Sequence, residues 1–104
     1  MKESRMDDRE LLAAHPHVPE HVVERSFGDE SVALNLHSGQ YHGLNGVGAQ
    51  MLERLRQART IADAVDPLAR DFEQPREVIE RDLAAFVRGL EERGLVEVAR
   101  GQNG

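Results

Sequence analysis

Gly39-Gln40-Tyr41-His42-Gly43-Leu44-Asn45-Gly46-Val47-Gly48 reads as a tight turn, a very short strand and the capped start of a helix. Gly39 is free to take positive φ in the turn. Asn45 is a good N-cap, because its side-chain oxygen accepts from an amide two or three residues on. The chain before this stretch has strand character and the chain after it has helix character. A short strand at that junction has a neighbour on one side and an open edge on the other. An open strand edge beside a helix suits an extended peptide, which adds as a further strand.

Working upstream, Ser31-Val32-Ala33-Leu34-Asn35-Leu36 alternates, and Val32, Leu34 and Leu36 are expected to face a core while Ala33 and Asn35 face away. Gly28-Asp29-Glu30 supplies a turn, and Val22 to Phe27 supplies a β-branched and aromatic strand. With Tyr41 to Leu44 as the third strand, the expectation is an antiparallel meander. Downstream, Val47, Met51, Leu52 and Leu55 recur at helical spacing, with Gly46 and Gly48 explained by close packing against the sheet. Thr60-Ile61-Ala62-Asp63 resembles a capping box with Asp in place of Glu. The run Ile61, Val65, Leu68, Phe72 that follows contains Pro67, so this helix is expected to kink or begin afresh there. Pro75 opens the last helix, with Ile79, Leu83, Phe86 and Leu90 as its stripe, Val78 and Val87 beside it, and Gly94 as its stop after Arg93. Leu95 to Val98 extends along the core. Strands followed by helices indicate an α+β fold, a three-stranded antiparallel sheet followed by three helices.

The length of 104 residues fits one domain. Residues 18–98 are assigned to it, residues 1–17 to an N-terminal extension that is mobile or loosely docked, and residues 99–104 to a disordered tail. Whether the extension swaps between chains to make a homodimer is left open, since an exposed strand edge invites such pairing. With no cysteine there is no disulfide, thiolate metal site or cysteine nucleophile. No apolar run is long enough to span a bilayer and no signal-peptide pattern opens the chain, so a cytoplasmic protein without membrane partners is expected. Nineteen acidic residues against 13 Lys and Arg give a formal charge of −6, which opposes nucleic-acid binding.

The residue types present exclude more chemistry than they supply. The five histidines, His15, His17, His21, His37 and His42, form no HExxH or paired zinc spacing, so no metal or other cofactor is expected. There is no GxSxG, and the glycines from Gly39 to Gly48 fit no phosphate-binding loop. Glu91-Glu92 and Asp7-Asp8 are neighbours in sequence and do not converge on one site. Nothing argues for an enzyme. A hairpin with three helices also suits a winged-helix DNA binder. Against that, Arg76, Arg81, Arg88 and Arg93 are interleaved with Glu77, Glu80, Asp82, Glu91 and Glu92, as in ordinary intrahelical pairs.

The stretch from Asn35 to Gly48, the block Thr60-Ile61-Ala62-Asp63-Ala64-Val65 and the closing run from Asp82 to Val96 together resemble the PqqD-like family, over about Pro19 to Val98. Each block is weak alone, and the ordered set is fairly specific. The resemblance implies a RiPP recognition element, which binds the leader segment of a ribosomally made precursor peptide. The leader adds to the edge of the third strand, with side chains in a groove against the third helix, and is presented to modifying enzymes such as a leader peptidase and a cyclase. The turn here looks more like stand-alone members of lasso-peptide pathways than like the pyrroloquinoline-quinone protein, which would carry Pro-Glu-Arg where this chain has His37-Ser38-Gly39. A pyrroloquinoline-quinone-type precursor chaperone is the alternative. Asn35 stands where the family usually has Asp, a change expected to affect the turn's hydrogen bonding more than the groove.

Combined with the strand reading, this selects Gln40, Tyr41, His42, Gly43 and Leu44 on the strand, and Val78, Asp82, Ala85 and Phe86 on the last helix. Backbone groups of Tyr41, His42 and Gly43 are expected to pair with the incoming strand. Alternation puts His42 on the groove side with Leu44, and Tyr41 on the other. Small Ala85 leaves room for a leader side chain, and Asp82 suits a leader Lys or Arg. Phe86 equally fits the core, Asp82 a solvated helix face, and Tyr41 an ordinary strand.

Overall fold

The computed structural model describes residues 6–28 and 30–99, and for Phe27 the backbone only. The expected meander is present: β2 (Val22–Phe27), β3 (Glu30–Asn35) and β4 (Tyr41–Leu44) form an antiparallel sheet in the order β2-β3-β4. Its helices follow as α2 (Gly46–Gln57), a 3-10 turn (Ile61–Ala64) leading into α3 (Val65–Phe72), and α4 (Arg76–Glu92). The Asn45 side chain caps α2 by accepting from Gly48 N (2.7 Å). Thr60 and Asp63 complete the reciprocal capping box at the 3-10 turn. Pro67 lies in the first turn of α3, where its missing N–H costs no helical bond, so the helix begins afresh just before it.

Two further elements precede the sheet, and one follows the helices. Residues 1–17 were expected to be mobile or loosely docked, but from residue 6 onward they are packed. Asp7 and Glu10 form a capping box on α1 (Asp8–Leu12), and Leu11 and Ala14 are buried in the core. Arg88 of α4 ties this segment down, pairing with Asp8 and donating to Met6 O (2.8 Å). Beyond α1, Ile61 N donates to Ala14 O (3.0 Å), and His15 Nδ1 donates to Arg59 O (2.8 Å). Strand β1 (His15–His17) then pairs antiparallel with β5 (Glu97–Ala99), His15 opposite Ala99, making a second small sheet. Of the expected disordered tail, Ala99 belongs to β5, and residues 100–104 lie outside the described residues.

The core is built where the helical periodicities place it: Met51, Leu52 and Leu55 of α2, Val65 and Leu68 of α3, and Ile79, Leu83, Val87 and Leu90 of α4 are all buried. The facing of β3 is the reverse of expectation. Ala33 is 0% and Asn35 6% exposed, while Val32 and Leu34 are half-buried on the opposite face and Leu36, just past the strand, is 54% exposed. Asn35 decides the phase. Its Nδ2 donates to Gly94 O at the end of α4 (2.9 Å), and its Oδ1 accepts from His37 N (2.8 Å) and Ser38 N (3.0 Å). A polar side chain with all these partners is stable inside. The two-residue period then carries Ala33 to the helix side, where its small side chain lets the core close over the sheet. The larger apolar residues are left outside, in the cross-strand row Val23, Leu34, Tyr41.

Candidate functional site

Strand β4 pairs with β3 alone, so its other edge is open among the described residues. Asn35 N donates to Gln40 O (2.8 Å), which fixes which backbone groups face which way. In an antiparallel pair, successive residues alternate between pointing at the partner strand and away from it. With Ala33 opposite His42 and Val32 opposite Gly43, His42 therefore bonds within the sheet, and Tyr41 and Gly43 turn their N–H and C=O groups to the open edge. Of the three residues expected to offer backbone groups, His42 is already engaged. Residue parity, readable only once the register is known, makes that distinction.

The side chains of β4 divide as alternation requires. Tyr41 is 62% exposed on the outer face, Leu44 is buried in the core, and His42 points between sheet and α4. The His42 ring meets Phe86 edge-on at a centroid distance of 6.0 Å. Phe86 is half-buried against the core, as its place in the helical repeat requires, and its remaining surface lines the space beside β4. Gly48 lies behind the ring, where an added Cβ would stand 3.3 Å from Phe86 Cε1 and 3.6 Å from Leu44 Cδ2, so its tightest packing is against α4, with the sheet a little farther off. Gly46 has no such neighbour. Burial, and secondarily the charge of Arg93, lowers the pKa of His42 below the ordinary value of 6.5.

Asp82, Phe86, Gly89 and Arg93 recur at spacings of four, three and four and lie along one face of α4. Arg93, just past the helix end, closes a space of about 550 Å³ with Ser38, Gln40 and Tyr41. At the other end, Asp82 and Ala85 line a space of about 400 Å³ with Val47 and Met51 of α2. His42 and Gly43 border both, so the two form one groove along β4. Of the residues selected from sequence, Gln40, Tyr41, His42, Gly43, Asp82, Ala85 and Phe86 line it. Leu44, in the core, and Val78, half-buried on α4, line neither space. Arg93, Val47 and Met51 join it unanticipated. From sequence, Arg93 stands only before the Gly94 helix stop and among the interleaved arginines of the last helix, and Val47 only in an apolar helical repeat, although it is 45% exposed.

Among the described residues, no three His, Asp or Glu side chains are grouped as metal ligands, and no helix is long and apolar enough to cross a membrane. His21 and His37 stack on each other at 3.9 Å. Arg76 is paired with Asp66 and Glu80, and Arg88 with Asp8, which occupies two of the four arginines a DNA-reading helix would present.

A family model described as coenzyme PQQ synthesis protein D (PqqD) matches residues 30–96. The chain belongs to the PqqD family. Two solved structures extend the likeness beyond that span. One, described as TbiB1 in complex with the TbiA(beta) leader peptide, is 32% identical with a TM-score of 0.68, covering 78% of this chain and 94% of that one. Another, described as lasso peptide synthetase B1 complexed with the leader peptide, is 30% identical with a TM-score of 0.69, covering 81% of this chain and 99% of that one. Among curated proteins none matches significantly.

Proposed function

We propose that this PqqD-family protein is a non-catalytic binder of the leader segment of a ribosomally synthesised precursor peptide in a lasso-type pathway. It presents that precursor to the modifying enzymes, among them a leader peptidase and a cyclase. The observation that carries the reading is the open edge of β4, with Tyr41 and Gly43 facing outward beside a groove floored by Phe86. The likeness to two proteins described with leader peptides supports it. Main-chain pairing to Tyr41 and Gly43 supplies affinity with little sequence information. Side-chain contacts with Gln40, His42, Asp82, Ala85 and Phe86 supply selectivity.

The test is fluorescence anisotropy with labelled leader peptides, the TbiA(beta) leader among them. Saturable binding with Kd below about 10 μM, roughly −7 kcal/mol, is expected. Gly43→Pro removes an outward N–H without cutting the ladder to β3, so a folded variant loses binding. A folded Gly43→Pro variant that binds as tightly as wild type refutes strand addition. The description of the matching family model favours a second reading, a chaperone of the pyrroloquinoline-quinone type. Preference for that pathway's precursor over lasso leaders in the same titration would select it.

A further inference from the structure

The groove carries opposite charges at its two ends. Arg93 stands beside Ser38, Gln40 and Tyr41, where β4 begins, and Asp82 stands beside Val47 and Met51, where β4 ends. Between them lie Phe86 and the His42 ring, flanked by Gly89, whose added Cβ would sit 3.9 Å from His42 Cε1. Asp82 is exposed and has no ion-pair partner among the described residues. Arg93 uses one N–H on Gly89 O (3.3 Å) and has no carboxylate partner there either. The other unpaired guanidinium donors remain available to a bound chain. The charge of Arg93 is felt in the groove, since after burial it is the second cause that lowers the pKa of His42.

Resting on the leader-binding reading, we infer that the groove selects the charge direction of its peptide: a basic residue over Asp82, an acidic residue over Arg93, and apolar side chains between. The direction follows from β4. Antiparallel pairing is the more stable mode per residue and is the mode of every strand pair described in this protein. A strand antiparallel to β4 starts beside Leu44 and Asp82 and ends beside Tyr41 and Arg93, so the basic residue is N-terminal to the acidic one. From Asp82 to Arg93 is eleven residues of helical rise, about 16 Å, or about five residues of extended strand. Both charges must face α4, which requires even spacing, so they stand about four or six positions apart, with groove-facing apolar positions between them. This polarity rejects a peptide threaded the wrong way, because reversal sets like charges together at both ends.

The experiment takes the tightest leader from the titration above and scans each position with Lys and with Glu on a peptide array. The array is probed with labelled wild-type protein and with the exposed double variants Asp82→Lys/Arg93→Glu and Asp82→Asn/Arg93→Gln, each confirmed folded by circular dichroism. On wild type, Lys is favoured over Glu at one position and Glu over Lys about four or six positions later, by about tenfold each. The charge-inverted protein reverses both preferences, and the neutral one loses both while still binding. An unchanged pattern on the inverted protein, or the same preferred sign at both ends, overturns the inference while leader binding itself stands. Absence of binding by every leader to wild type defeats the underlying reading and this inference with it.

Discussion

Asn35 joins the turn before β4 to the end of α4, and removing its side chain tests whether that junction shapes the groove. Three hydrogen bonds are lost in Asn35→Ala: the donation to Gly94 O and the acceptances from His37 N and Ser38 N. At about 1 kcal/mol net each, the cost is about 3 kcal/mol, or a fall in Tm of roughly 12–24 °C for a domain of this size. Asn35→Asp discriminates further. A carboxylate accepts from His37 and Ser38 at least as well as the amide does. It donates nothing to Gly94 O, so that carbonyl is left facing a like-signed oxygen, at a net cost of about 1–2 kcal/mol. The change from Asp to Asn, expected from sequence to bear on the turn's hydrogen bonding, therefore bears instead on Gly94 and the end of α4. Gly94 has φ +70 and leaves room for the amide, since an added Cβ would stand 3.3 Å from Asn35 Nδ2. Thermal and urea unfolding followed by circular dichroism measure both variants, with leader affinity determined below each midpoint. Asn35→Ala within about 0.5 kcal/mol of wild type would refute the reasoning. An Asn35→Asp variant as stable as wild type would show that the Gly94 contact is not what distinguishes Asn from Asp.

Two further predictions follow from side chains at the groove and behind it. Burial and Arg93 lower the pKa of His42 in the folded protein, so below 6.5 the unfolded chain takes up a proton that the folded one resists. Its contribution to stability is complete above that pH and is lost as pH falls through the window beneath it. Wild type should lose more stability than His42→Gln between pH 7.5 and 5, and parallel urea-midpoint profiles would exclude the effect. Arg88→Ala frees Met6 O and Asp8, so residues 6–12 should become cleavable by a low dose of protease at about 1–2 kcal/mol of lost stability. Unchanged cleavage kinetics would show that Leu11 and the β1–β5 pairing suffice.

Legibility from sequence followed the range of the forces involved. Asn45, Thr60 and Gly94 act within four residues of themselves, and the elements they bound lie where local chemistry put them. The open β4 edge was legible too, because a four-residue strand between a turn and a cap has little chain to cover it. The facing of β3 was not. Hydropathy ranks Val32, Leu34 and Leu36 above Asn35, whereas the deciding contact joins residues 59 positions apart. The docking of residues 6–17 was hidden for the same reason, since a helix of five residues is marginal alone and gains its stability from Arg88 and the core. Within the groove, local signals found the aromatic centre and Asp82. They missed Arg93, whose place beside the groove depends on how far the end of α4 lies from the turn before β4.

The pairing of His15 with Ala99 has a kinetic side. Hairpin contacts among β2, β3 and β4 span few residues and close early, while the ring through β1 and β5 cannot close before residue 99 has been added. Arg93 and the α4 wall are also among the late arrivals. Until residues 76–93 have packed against the sheet, the β4 edge lacks the α4 wall beside it. During that interval the edge has main-chain appetite without side-chain discrimination.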